Sequence, residues 1–91
     1  MQALQWETAD EIILNLAKRL KQIRKRKSIS QERLELLSGV SLGSIKRFEN
    51  TGHISLISLT KIATALGCVN EIKELFTNVS YKSIEEILNE K

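Results

Sequence analysis

The stretch Ser30-Gln31-Glu32-Arg33-Leu34-Glu35-Leu36-Leu37-Ser38-Gly39-Val40-Ser41-Leu42-Gly43-Ser44-Ile45-Lys46-Arg47-Phe48-Glu49-Asn50 decides how the chain is read. Ser30 is a good N-cap for a helix over Gln31–Ser38, because its hydroxyl can accept one of the free N–H groups of the first turn. Gly39 stands where a helix commonly ends in a left-handed residue. Ser41 can cap a second helix over Leu42–Asn50. The three-residue turn Gly39-Val40-Ser41 needs a residue that tolerates positive φ, and Gly39 supplies it. Val40 can plug the angle between the helices, and Ile45 and Phe48 share an inward face. That leaves Leu42, Gly43, Lys46, Arg47 and Asn50 on the outer face of the second helix. An α-helix fits the major groove of B-DNA, with the residues near its N-terminus at base edges. Lys46 and Arg47 suit a groove lined by phosphate.

Outward from this unit the chain reads as helix after helix. It has no proline and only four glycines. No segment alternates apolar and polar residues with period two, so strands are not expected. A first helix is predicted over Asp10–Lys27, with Ile13, Leu16, Ala17, Leu20 and Ile23 in one stripe. Its start is acidic and its end basic, which suits the helix dipole. Ser55 can cap a fourth helix carrying Leu56, Leu59, Ile62, Ala63 and Leu66, stopped by Gly67. A fifth helix is predicted within Asn70–Phe76, and a sixth from a Ser83 cap through Ile84, Ile87 and Leu88. The opening segment 1–9 lacks a pattern and reads as an arm. Its Trp6 is expected to be docked.

With 91 residues, 42% apolar and 27% charged, the chain reads as one small globular domain of modest core. The single cysteine, Cys68, allows no internal disulfide and reads as a small hydrophobe. Nothing calls for a cofactor or a metal. No run approaches the ~20 apolar residues of a membrane span. A cytoplasmic protein is expected. The net charge of +3 hides an asymmetry: residues 12–66 hold eleven Lys and Arg against three acids, a balance of +8, between acidic flanks. A basic middle suits a polyanion and acidic ends a protein partner; the alternative is that Lys18–Lys27 is a solvated helix end meeting the negative end of the dipole. No acid–base dyad, partnered nucleophile or phosphate loop is present, so no enzyme is expected.

The helix-turn-helix stretch, together with Ser55-Leu56, Leu59, Lys61-Ile62-Ala63 and Ala65-Leu66-Gly67, resembles the phage repressor/Cro-like group, the XRE family. The resemblance covers residues 12–67. It implies an all-α fold: a five-helix, lambda-repressor-like DNA-binding domain over residues 10–67, with residues 68–91 as a C-terminal helical extension. It also implies a homodimer on double-stranded operator DNA, with the second helix of the pair in the major groove. By position, Leu42, Gly43 and Arg47 correspond to base-reading sites, and Lys46 shares their face. Gln31 corresponds to a glutamine that binds a backbone phosphate. Ser44 and Asn50 match positions that touch the backbone, and Ser41 and Arg24 join them as phosphate contacts. Arg24 and Glu49 correspond to a pair tying the first helix to the third. Cys68, Ile72, Leu75 and Phe76 are the dimer candidates.

Several of these positions admit two readings. Arg47 reads guanine or grips phosphate; Lys46 grips phosphate or is solvated; Leu42 meets a thymine methyl or is an exposed leucine. Gly43 either lets the helix backbone approach DNA closely or is a small residue required by packing. Glu35 departs from the family, which carries alanine at this contact between helices. A buried unpaired carboxylate there would be costly, so Glu35 is expected to snorkel or to pair with Arg33 or Lys46, unless the helices are spaced differently. Leu36 and Leu37 replace polar residues, and one is expected to be exposed at a protein interface. Ser28 stands where glycine is common. The tail Tyr81–Ile87, with the loop Arg47–Leu56, is similar to small regulators paired with HipA-type toxins, which implies an antitoxin that represses its own operon and holds a toxin. Restriction–modification controllers share the same size and domain. The alternative from a different class is a protein-interaction module on this scaffold without specific DNA binding.

Overall fold

The computed structural model of the chain describes residues 6–78 together with 88 and 89. The arm before Trp6 and most of the expected sixth helix, Ser83 to Ile87, lie outside the described residues. Five helices follow in order: α1 Ala9–Arg26, α2 Gln31–Ser38, α3 Leu42–Thr51, α4 Leu56–Ala65 and α5 Val69–Lys73. Among the described residues there is no strand. The fold is all-α, as expected.

The helix starts follow one rule. Thr8, Ser30, Ser41 and Ser55 stand in extended conformation, and each hydroxyl accepts the N–H of the residue three along. Such a cap stabilises a helix by about 1 kcal/mol. At α1 the arrangement is reciprocal. Glu11 N–H donates to Thr8 Oγ1 at 3.1 Å, and Thr8 N–H donates to Glu11 Oε1 at 2.8 Å. The segment read as patternless thus contains the start signal of the longest helix. Helix α5 has no side-chain cap and is the shortest.

Two of the stops use glycine in the left-handed region, Gly39 at φ 77° and Gly52 at φ 87°. The turn between α2 and α3 is therefore built as the sequence predicts. Gly52 carries a second constraint: a Cβ there would lie 2.5–2.7 Å from backbone atoms of Ile13 and Leu14. The end of α3 thus rests directly on the backbone of α1, and only glycine permits the contact. Ser28 ends the α1 turn at φ 58°. Glycine would be relaxed in this position, and serine is strained.

The core lies among α1–α4. Ala17, Leu34, Val40, Ile45, Phe48, Ile62 and Leu66 form one buried cluster, with Leu20, Ile23, Ile29, Ile54, Leu59, Ala65 and Cys68 packed around it. Leu34, Ile45, Ile62 and Leu66 are the largest fully enclosed side chains. Each stabilises the fold by roughly 2–3 kcal/mol through apolar burial. α1 packs on α3, α2 on both α3 and α4, and α4 on α5.

Two expectations about exposure need correction. Trp6 is not docked; it is 81% exposed. A lone aromatic ahead of the first cap has no periodic neighbours to form a pocket with. Leu36 and Leu37 are both exposed, not one of them. α2 has only eight residues, and Leu34 alone is buried from it.

Candidate nucleic-acid interface

α3 is held from below and open above. Ile45, Phe48 and Glu49 are buried, while Gly43, Ser44, Lys46, Arg47 and Asn50 are exposed and Leu42 is half-buried. The apolar side chains at 45 and 48 fix the rotation of the helix about its axis. They thereby fix which residues face outward.

The anchor beneath is ionic. Arg24 Nε donates to Glu49 Oε2 at 2.7 Å, and Arg24 Nη2 donates to Glu49 Oε1 at 3.0 Å. Arg24 Nη1 donates to the Ile29 carbonyl at 2.7 Å. The guanidinium thus joins α1, the α1–α2 link and α3 in one bidentate clamp. Arg24 is 7% exposed, with its guanidinium turned to Glu49 and the Ile29 carbonyl. Gln31, named from sequence for a phosphate, donates from Nε2 to Glu49 Oε1 at 2.8 Å. It begins α2 half-buried, with its side chain already held by the same carboxylate.

At the other end of α3, Ser41 Oγ accepts the Ser44 N–H at 3.2 Å and donates to Ser44 Oγ at 2.9 Å. Both hydroxyls expected at phosphate are therefore engaged with each other. They remain on the exposed side. Glu35 resolves differently from expectation. It pairs with neither Arg33 nor Lys46; its Oε2 accepts the Leu42 N–H at 3.1 Å. A carboxylate from α2 thus serves the first turn of α3, which has no acid of its own. Sequence reading found the misfit residue but not its partner, because the partner is a main-chain group on another helix.

Gly43 is not required by packing. A Cβ built there meets nothing within 4 Å, and its backbone needs no positive φ. Of the two readings of this glycine, the packing one is removed. Beside this face the α3–α4 loop is held in place, with Thr51 Oγ1 donating to the Arg47 carbonyl at 2.7 Å and His53 N–H donating to Thr51 Oγ1 at 3.1 Å. A hollow lined by Ser44, Arg47, His53 and Ser58 adjoins it.

The dimer candidates lie apart from this face. Cys68 and Ile72 are half-buried along a groove between α1, α4 and α5 that also takes in Leu16, Leu20 and Leu75. Phe76 is 93% exposed, with φ 61°. Burial raises the Cys68 thiol pKa, helped by Glu71 and opposed by Lys27, so the group stays protonated. Among the described residues no helix is long and apolar enough to cross a membrane.

The comparisons with known proteins agree with this geometry. A family model described as helix-turn-helix matches residues 20–71, more than half of the chain. No curated protein and no solved structure matches. The match spans α2, α3 and the turn between them, with the C-terminal part of α1, all of α4 and the start of α5. The chain belongs to the XRE-type helix-turn-helix family of DNA-binding transcription regulators.

Proposed function

We propose that the protein is a homodimeric, sequence-specific repressor that binds an operator in its own operon through α3. The observation that carries this reading is the division of α3 itself. Its inner side is fully occupied by Ile45, Phe48 and the Arg24–Glu49 clamp, while Gly43, Lys46 and Arg47 stand free on the other side. Arg47 reads a guanine and Lys46 adds a contact on the same face. Leu42 meets a thymine methyl, and Gly43 admits the helix backbone to the groove floor. Ser41, Ser44 and Asn50, with the N-terminus of α2 at Gln31, meet phosphates and fix the register. Arg24 acts by holding Glu49 and the start of α2. Residues 68–91 dimerise through Cys68, Ile72, Leu75 and Phe76. By the antitoxin resemblance, they also present a surface to a toxin. No part of this requires catalysis, a metal or a cofactor.

Selection of bound duplexes from a random pool at about 150 mM salt tests the reading. A palindrome with half-sites ~10 base pairs apart is the expected result, since dimer symmetry fixes that spacing. A second reading has its own support. Leu36, Leu37, Leu56 and Ile57 are exposed on α2 and α4, with Leu37 and Ile57 lining one hollow, and exposed apolar surface of this kind suits a protein contact. Folded protein that enriches no motif would select that reading, a protein-interaction module on this scaffold.

A further inference from the structure

The start of α3 is where an anion would ordinarily settle. The first N–H groups of a helix lack intrahelical acceptors and carry about half a positive charge between them. Here two of those groups are already served from inside the protein. The Ser44 N–H goes to Ser41 Oγ, and the Leu42 N–H goes to a full carboxylate, Glu35, from the preceding helix. At the other end of α3, the Gln31 amide is turned toward a carboxylate, Glu49. Glu49 is neutralised by Arg24 at 2.7 Å, whereas Glu35 has no cationic partner among the described residues. Only the partial positive charge of the helix start therefore offsets its full negative charge, at the end of α3 that leads toward DNA, in a domain whose middle is otherwise strongly basic.

We infer that Glu35 is an electrostatic brake on DNA binding: it occupies the anion-attracting start of α3 and limits how much affinity the phosphate backbone supplies. This rests on the reading of α3 as the DNA-facing helix. With α3 in the groove, a unit charge beside Leu42 acts on the flanking phosphates over the screening length, about 10 Å at 0.1 M salt. It opposes binding at low salt and is screened away as salt rises. The hydrogen bond and the charge are separable. Glutamine at position 35 offers the Leu42 N–H the same kind of oxygen with no charge. Alanine offers neither.

The test measures duplex affinity for the full chain from about 50 to 200 mM salt, with thermal melting alongside. Glu35→Gln should melt close to the parent. It should bind duplex roughly threefold tighter at the low end, with the logarithmic salt slope steeper by up to about one and the gain fading at the high end. Glu35→Ala should show the same low-salt gain and a lower melting temperature, since it also loses the cap. Unchanged binding by both variants at low salt would overturn the brake. So would a gain that salt does not diminish, because that is a change of shape rather than of charge. A parent chain that binds no duplex even at about 50 mM would overturn the DNA-facing reading itself, a result distinct from either of these.

Discussion

The two ends of α3 are built to opposite rules, and a glycine marks each. Gly52, at the C-terminal end, sits at φ 87° with the backbone of Ile13 and Leu14 closer than any Cβ could tolerate. Gly43, in the first turn, sits in ordinary helical backbone with open space where a Cβ would go. The fold demands the first glycine and has no use for the second. The same contrast holds for the charges. Glu49, near the C-terminal end, is enclosed and clamped by Arg24; Glu35, reaching the N-terminal end from α2, has no cation paired with it among the described residues. One end of the helix is spent on position. The other leaves Gly43 and its neighbours open to solvent.

The contrast is most easily broken at the anchored end. Gly52→Ala combines a left-handed backbone at an alanine with a main-chain clash, about 3–5 kcal/mol together. A domain of this size has little more than that to lose. The expected outcome is a chain unfolded, or melting far lower, by circular dichroism. A variant that melts like the parent would show that α3 does not rest on α1 as described. Glu49→Gln comes next. It leaves Arg24 enclosed without its counter-charge, at a cost of about 3 kcal/mol by chemical denaturation. Lys46 and Arg47 stay free in that variant, so any loss of DNA binding should follow the loss of folded protein.

At the open end the effects move from stability to binding. Arg47→Ala should leave the melting temperature unchanged and weaken specific binding by about 1–3 kcal/mol, with one base position relaxed in the selected motif. Equal weakening on every sequence would make Arg47 a phosphate contact instead.

How much of this was legible in the sequence depended on whether a feature is local. Gly39, the caps Ser30, Ser41 and Ser55, and the inward pair Ile45 and Phe48 are decided within a turn or two. The sequence alone predicts them where the structure has them. The Thr8–Glu11 capping box is equally local. It goes unread only because no apolar stripe precedes Asp10 to call attention to it. The remaining features depend on groups that a sequence does not display. Glu35 reaches a main-chain N–H seven residues away, and which donors a helix leaves unserved is known only once the neighbouring helix is in place. Gln31 meets Glu49 eighteen residues on. The identity of Gly52 is fixed by the backbone of α1, far back in the chain. The candidate DNA face was legible as a set of residues on one side of a helix. Which of its polar groups are already engaged within the protein was not.

Gly43→Ala brings the comparison to its smallest and sharpest form. Alanine is the better helix former by up to about 1 kcal/mol, and here nothing crowds the added methyl. The variant should therefore be more stable than the parent, by about 0.5–1 kcal/mol in chemical denaturation. If the bare backbone at this position exists to approach DNA, the same methyl should weaken operator binding. Stability and affinity would then move in opposite directions, which neither a misfolded variant nor an inert surface change produces. Should stability rise with affinity untouched, the close-approach role of Gly43 is wrong, and base reading by α3 would rest on Leu42, Lys46 and Arg47. Should stability fall, α3 does not begin with the open backbone described here, and the contrast between its two ends fails at its simplest point.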